Sequence, residues 1–316
     1  MKRGATGETD QGHQFVTAPI SVVVCTRTRP DMLDACIASV LTNEDSTFEL
    51  VIVDNTDEGD LAGTAQADTR IRVVRESRPG LSRARNTGIR SARHDVIAFV
   101  DDDVIVDRGW LQAVATTLAD GSIDAVTGLV VPTELATEAQ REFERYGGMG
   151  KGAERRLIRG AQLPARQAID ARAVGVGANM AFRRRVFERV GMFDEALGAG
   201  TAALGGEDLD FFHRVLRAGL TICYEPAAKV SHRHRRTVPE LRAQIFANGC
   251  AYAVYLRKIW SQQTVPRRSV STFALGWLMG RLTTALFRTV ARPGLRCRVA
   301  WDEVRGALHA RTVRVA

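Results

Sequence analysis

Three consecutive carboxylates, Asp101, Asp102 and Asp103, close the apolar run from Val96 to Val100. A buried strand of this kind delivers the residues that follow it to the carboxyl edge of a sheet, where α/β proteins bind their ligands. Carboxylates this close together repel one another, and a divalent cation relieves that repulsion. The triplet therefore predicts a metal site, with a solvated loop or a helix cap as the alternative.

Three further polar segments follow predicted strands in the same way. They are Thr26 to Arg29, Asp54 with Asn55, and the basic helix start from Gly80 to Gly88, which contains Arg83, Arg85 and Asn86. Carboxylates can accept hydrogen bonds from a base or ribose, whereas arginines and helix amides can hold phosphates. Taken singly, Asp54 is equally suited to cap a turn, and Arg85 to face solvent. Their convergence at one sheet edge predicts a nucleotide site.

The second half of the chain holds two more candidate groups. Glu207 and Asp208 start a predicted helix directly after two glycines, and His232 and His234 follow a short predicted strand. A carboxylate reaching into a cleft can act as a general base toward an alcohol, but acids at a helix start are also favoured by the macrodipole. A histidine after a strand can bind Mn²⁺ or lie on a basic surface.

Apolar periodicity over the first 120 residues predicts alternating strands and helices, and hence a mostly parallel, doubly wound sheet. The predicted strands are 20–25, 49–53, 71–74 and 96–100, and helical faces begin near Pro30, Leu81 and Trp110. Further on we expect strands over 125–131, 173–183 and 220–224, a helix over 207–218, a loop-rich insertion over 135–170 and helices from Val238 onward. The glycines between Val174 and Met180 allow close approach of backbone to a ligand.

The composition is that of an ordinary globular protein with a basic surface. The 316 residues carry a formal net charge of +8, and 40 of the 44 basic residues are arginine. Such a surface suits nucleotide phosphates, anionic lipid or nucleic acid, although a GC-rich genome would also enrich arginine. Arg257, Lys258, Arg267 and Arg268 are candidates for contact with anionic lipid.

Cysteine usage and hydropathy indicate a cytoplasmic protein. The five cysteines form no CxxC pair, and residues 1–17 are polar, so we expect a disordered tail and no secretory signal. The most apolar stretch, Phe273 to Val290, is interrupted by Arg281 and Arg288. It predicts a packing helix or a helix lying on the inner face of the cell membrane, rather than a membrane span.

Taken in order, these motifs resemble those of the family 2 inverting glycosyltransferases, which have the A-type nucleotide-diphospho-sugar transferase fold. The resemblance runs through Ile20 to Pro30, Leu50 to Asn55, Gly80 to Gly88 and the aspartate triplet, and covers residues 18–236. It implies a Rossmann-like, mostly parallel α/β sheet. The nucleotide-binding half would be 18–120, the acceptor half 121–236 and a basic helical extension 237–316.

The resemblance also assigns roles on the donor side. Thr26 and Arg27 would lie beside the nucleotide base, Asp54 would bind the base or ribose, and Arg85 would face the donor pocket. The triplet is similar to the family's Asp-x-Asp motif. Asp101 would then lie near the ribose and sugar, Asp102 would contact the sugar, and Asp103 would bind Mg²⁺ or Mn²⁺ through the diphosphate.

On the acceptor side, the segment from Gly205 to Asp210 is similar to the family's Gly-Glu-Asp-x-Asp signature. The resemblance implies that Asp208 is the catalytic base, with Glu207 its close rival, and that a base with a pKa raised by neighbouring acids would suit the task. His232, which matches better than His234, would be a further metal ligand. The segment from Val174 to Met180 resembles the strand that lines the acceptor cleft.

The implied reaction moves a sugar from a nucleotide-diphospho-sugar, by default a UDP-sugar, to an acceptor hydroxyl with inversion. The acceptor could be a glycan, a lipid-linked molecule or a small molecule, with no nucleic acid partner and the oligomeric state open. The basic carboxy-terminal helices could cover the cleft, pair protomers or contact an anionic membrane. Two alternatives are a Mg²⁺-dependent phosphohydrolase of the haloacid dehalogenase type and a non-enzymatic protein that binds sugar or nucleic acid.

Overall fold

A single mixed sheet forms the centre of the molecule. The structure is a computed structural model, and it describes residues 18–27, 30–43, 46–57, 61, 68–291 and 294–313. The predicted tail, residues 1–17, lies outside the described residues. The strands are β1 Ile20–Thr26, β2 Phe48–Asp54, β3 Ile71–Arg75, β4 Val96–Asp101, β5 Val104–Val106, β6 Ala125–Pro132, β7 Arg156–Arg159, β8 Asn179–Arg183 and β9 Thr221–His232.

The strand order is β3-β2-β1-β4-β8-β6-β9-β5, with β7 paired to β9. The first four strands in this order are mutually parallel. β8 is then antiparallel to both β4 and β6, whereas β6 and β9 are parallel. The predicted α/β class with a mostly parallel sheet over the first 120 residues is therefore confirmed, and the antiparallel strand β8 joins these strands to β6.

Helices cover both faces of this sheet. They are α1 Pro30–Leu41, α2 Leu81–Ser91, α3 Trp110–Ala119, α4 Glu138–Tyr146, α5 Arg184–Val190, α6 Glu207–Arg217, α7 Val238–Gln262, α8 Arg267–Ala291 and α9 Leu295–His309. Within the described part of the chain, none of them combines the length and the hydropathy that crossing a membrane requires.

Alternate residues of the central strands enter two different cores. On β1, Val23 packs with residues of α2 and α6, whereas Val22 and Val24 pack with residues of α1 and α3. All three valines are 0% exposed. Burial on both faces explains why β1 is a continuous apolar run, and it holds the ends of the neighbouring strands at fixed separation.

The carboxy-terminal helices pack on the same unit as the sheet. Tyr255 and Ile259 of α7 join the core that contains α2 and α6. Lys258 lies 2.6 Å from Asp194 and 2.7 Å from Asp210, and its side chain is only 5% exposed. The prediction that Lys258 meets lipid is therefore wrong, because a buried ammonium is held by carboxylates.

Two predictions for the middle of the chain also need correction. The supposed loop-rich insertion contains β7 and α4, and a capping box between Thr137 and Gln140 starts that helix. The strand expected over 173–183 begins only at Asn179. Before it, the backbone of Gly177 bonds to side chains of other elements instead of a strand ladder, donating to Asp208 and accepting from Arg85.

Candidate active site

The register of the sheet brings three of the polar segments together. Thr26 lies opposite Asp54, and Cys25 lies opposite Asp101. A cavity of about 940 Å³ opens at this edge, which is within the usual size of a ligand site. Nine of the ten predicted site residues line it: Thr26, Arg27, Arg85, Asp101, Asp102, Asp103, Glu207, Asp208 and His232.

Asp54 is the predicted site residue that does not line the cavity. Its Oδ1 accepts hydrogen bonds from the backbone N–H and the hydroxyl of Thr56, at 2.9 and 2.7 Å, and lies 3.0 Å from Arg75. The neighbouring Asn55 does line the cavity, and its Oδ1 accepts from the N–H of Gly80 at the start of α2. The role of Asp54 beside the base stays a prediction.

Arg85 connects the two halves of the site. Its guanidinium lies 2.7 Å from Glu207 and 3.1 Å from Asp101, and it donates to the carbonyl of Gly177 at 3.2 Å. The Arg85 side chain is 3% exposed. The sequence suggested a solvated helix residue as the alternative, but α2 directs this arginine inward, where it joins Asp101 of β4 to Glu207 of α6.

The single guanidinium of Arg85 cannot neutralise both Asp101 and Glu207, so an excess of negative charge remains beside it. Burial raises the pKa of Glu207 to about 7, and the charges of Asp208 and Asp101 act in the same direction against Arg85. Burial also raises the pKa of Asp101, in spite of Arg85.

Asp208 is the more accessible of the two acids that start α6. Its Oδ2 accepts from the backbone N–H of Gly177 at 2.8 Å, and its Oδ1 accepts from the N–H of Leu209 at 2.8 Å. Gly206, with φ of +86°, precedes the pair, and a Cβ there would lie 3.1 Å from the carbonyl oxygen of Ala251. Only glycine makes this turn easily, so α6 begins where both acids reach the cavity.

The other two aspartates of the triplet have different partners. Asp102 accepts a hydrogen bond from the hydroxyl of Thr26 at 2.8 Å. Asp103 lies 3.3 Å from Nε2 of His232, because β5 pairs with β9 and sets Val104 opposite His232. Within the described residues no cluster of three or more metal-ligating side chains occurs. A carboxylate oxygen and an imidazole nitrogen this close nevertheless suit Mn²⁺ as two protein ligands, with the remainder coming from a ligand or water.

Two further residues orient the His232 ring. Nδ1 of His232 lies 3.1 Å from Nδ1 of His234, and Nε2 of His234 lies 2.7 Å from Glu144. Burial lowers the pKa of His234, which favours the neutral ring. If Nε2–H of His234 donates to Glu144, then Nδ1 of His234 can accept from Nδ1–H of His232. The lone pair on Nε2 of His232 is then available to a cation.

Sequence reasoning missed further charged and aromatic residues that line the cavity. Among them are Lys151, Arg172, Tyr252, Arg281 and Glu303, from the middle segment and from α7, α8 and α9. Arg172 stacks on the Tyr252 ring at 3.9 Å, and burial lowers the pKa of Lys151, with Arg172 adding to the effect. The charges of the 135–170 segment were the signal, but spacing along the chain could not show that they meet helices a hundred residues later.

Comparisons with known proteins agree with this geometry. A pre-mycofactocin glycosyltransferase of Mycobacterium tuberculosis is 27% identical over 210 residues, which is 66% of this chain and 42% of that protein. The chain thus spans about two fifths of the length of that curated relative. Glycosyltransferase AglE of Haloferax volcanii is 25% identical over 270 residues, covering 83% of this chain and 81% of the relative.

Among solved structures, a mannosyltransferase from Pyrobaculum calidifontis in complex with GDP-Man and Mn²⁺ has the same fold. It superposes with a TM-score of 0.62 at 15% identity, covering 94% of this chain and 86% of the other. The sequence profile described as glycosyl transferase family 2 matches residues 21–191. That match contains the triplet and Arg85 and ends before α6. Because this match covers more than half of the chain, the chain belongs to glycosyltransferase family 2.

Proposed function

We propose that this protein transfers a sugar from a nucleotide-diphospho-sugar to an acceptor hydroxyl, with inversion at the anomeric carbon. The observation that carries the proposal is the meeting, in one cavity, of the aspartate triplet with Arg85 and the two acids of α6. The family membership favours transfer over the phosphohydrolase and the simple binding protein. A direct displacement needs no covalent sugar–enzyme intermediate, and none of the roles below requires one.

The donor side of the proposal rests on the ends of β1 and β4. Thr26 and Arg27 line the cavity beside the triplet, so they can flank a base, with Arg27 held 3.0 Å from Asp57. Asp101 and Asp102 can accept hydrogen bonds from the ribose and sugar hydroxyls. Arg85, whose guanidinium lies 3.1 Å from Asp101, holds that carboxylate in place.

Asp103 and His232 would hold the divalent cation, Mg²⁺ or Mn²⁺. When bound, such a cation neutralises a diphosphate and stabilises it as a leaving group. The protein's own contribution here is orientation: Glu144 and His234 keep Nε2 of His232 turned toward Asp103.

Asp208 is the proposed base, and it would take the proton from the acceptor hydroxyl. Its accessibility supports this choice, since the nearest oxygen of Glu207 is bound by Arg85 at 2.7 Å. Glu207 would then act as the buried hydrogen-bond acceptor that keeps Arg85 in register. Lys151 and Arg172, the latter paired with Asp170 at 2.8 Å, would face the acceptor.

The donor nucleotide is the first quantity to measure. We expect UDP-sugars to bind, and GDP-mannose, the ligand of the Pyrobaculum neighbour, is the obvious competitor in a panel that includes dTDP-sugars. Thermal shift with and without Mn²⁺ should show one donor class raising Tm by roughly 3–6 °C when it is present at about 100 times its Kd.

The Asp103→Ala variant should lose the Mn²⁺-dependent part of this shift and all transfer. Asp107→Ala is the matched control, since Asp107 follows on the same segment and pairs with Lys229 at the surface. Anomeric configuration of the product, read by NMR, tests inversion. If no nucleotide-sugar stabilises the wild type, or if Asp103→Ala responds like Asp107→Ala, the proposal fails.

A further inference from the structure

The helix α8 is apolar on two opposite sides. On its inner side, Val270 and Ala285 are 1% and 0% exposed, and Arg281 faces the cavity 3.6 Å from Glu303. On its outer side, Leu275, Met279 and Leu286 are 60%, 49% and 54% exposed. Exposed apolar side chains grouped on one side of a helix mark a candidate interaction surface.

The outer residues form one continuous stripe. Leu275, Met279, Leu282 and Leu286 fall within about 60° of one another at 100° per residue, over a length of about 16 Å. Trp260 at the end of α7 and Leu308 of α9 extend this surface, at 39% and 47% exposed. We call these six residues the α8 surface.

Arginines lie at the edge of the α8 surface, and Arg257 and Arg311 line the same groove as Trp260, Leu275 and Leu308. Between Glu240 and Asp302 the sequence contains no acidic residue. The same segment contains ten basic residues: Arg242, Arg257, Lys258, Arg267, Arg268, Arg281, Arg288, Arg292, Arg296 and Arg298. Four of them are paired with carboxylates elsewhere: Arg242, Lys258, Arg281 and Arg296. Arg267 and Arg268 are exposed at the start of α8. The two acids that follow this segment turn inward: Asp302 pairs with Arg242, and Glu303 lines the cavity.

We propose that the α8 surface docks on a membrane that carries anionic headgroups, with the apolar stripe in the interface and the arginines at the phosphates. An apolar stripe flanked by basic residues is the composition of helices that lie in the membrane interface. Trp260 with Arg267 stacked 4.3 Å above its ring supplies an interfacial pair of aromatic and cation. A second copy of the chain fits less well, because a two-fold contact would bring the same arginines together without carboxylates.

Vesicle co-sedimentation of the full chain tests this proposal. We expect binding to vesicles of phosphatidylcholine with phosphatidylglycerol, much weaker binding to phosphatidylcholine alone, and loss of the difference at high salt. Leu275→Glu with Met279→Glu should lower the partition coefficient at least about tenfold. Arg267→Gln and Arg268→Gln should each lower it about fivefold.

Leu135→Glu is the matched control, because Leu135 is 44% exposed and lies outside the α8 surface. It should bind vesicles like the wild type, and all variants should keep the wild-type Tm and the donor-induced thermal shift. Failure of the wild type to bind anionic vesicles, or equal binding by the Leu275 and Met279 variant, overturns the proposal. So does a dimer that this variant converts to a monomer. Since the docking assay needs no donor, its outcome is separable from that of the proposed function.

Discussion

Replacing Glu207 with glutamine tests whether the site keeps a proton that the unfolded chain has already released. The Glu207 side chain is 8% exposed and shares Arg85 with Asp101. Burial raises its pKa from 4.5 to about 7. Over that range the folded protein holds the proton while the unfolded chain loses it, so the stability of the wild type should fall as the pH rises.

The size of the effect follows from the width of this window. Stability is fully present below the unfolded pKa of 4.5 and is lost progressively up to about pH 7. At about 1.4 kcal/mol per pKa unit, the loss approaches about 3 kcal/mol. Glutamine does not ionise, so Glu207→Gln should not lose this stability. The free energy of unfolding of the variant minus that of the wild type should therefore rise by about that much across the window and stay constant above it.

Urea unfolding at several pH values across this window measures the difference directly. Glu188→Gln is the control, because Glu188 is an exposed glutamate on α5, and its curve should run parallel to that of the wild type. Parallel curves for Glu207→Gln as well would refute the raised pKa. A pKa lowered by Arg85 would instead place the pH dependence below about pH 4.5, where the stability of the wild type would rise with pH.

Three other predictions concern single side chains. Asp208→Asn should abolish transfer while calorimetry shows donor affinity within about twofold of the wild type; normal turnover would remove its assignment as the base. His234→Ala should weaken Mn²⁺ binding by about 10- to 100-fold in a direct titration followed by electron paramagnetic resonance, as expected when the partner of a metal-bound histidine is lost. Unchanged affinity would show that His234 does not orient His232. Lys258→Met leaves Asp194 and Asp210 without their buried cation and should cost about 3–5 kcal/mol in urea unfolding; a loss under about 1 kcal/mol would contradict this packing.

The first 120 residues could be predicted well, because their signals are local. The strand that ends at Asp101, the strand that ends at Asp54 and the helix that starts at Leu81 lie within a residue or two of their expected bounds. Continuous apolar runs mark strands buried on both faces, and polar residues mark their ends. Once the strands are parallel, their carboxyl ends must share an edge.

The middle of the chain was harder for equally physical reasons. The helix α4 is short and largely charged, although its amphipathic pattern and its capping box both gave local signals. The segment before Asn179 has strand-like composition, but Gly177 bonds to Arg85 and Asp208 instead of a neighbouring strand. Lys258 looked like a lipid-facing residue because two acids that bury it, Asp194 and Asp210, are far from it in sequence.

The sequence alone determined the order of strands and helices, the family motifs, and the fact that Asp101, Asp102 and Asp103 end a buried strand. These features depend on residue type and on spacing within a few residues. Only the tertiary structure decided the partners, such as Glu207 for Arg85 across 122 residues of chain and His232 for Asp103. It also decided that α7, α8 and α9 close the cavity and leave one apolar side of α8 exposed. Such contacts depend on how whole elements pack, and no local pattern encodes which distant side chain will fill a given space.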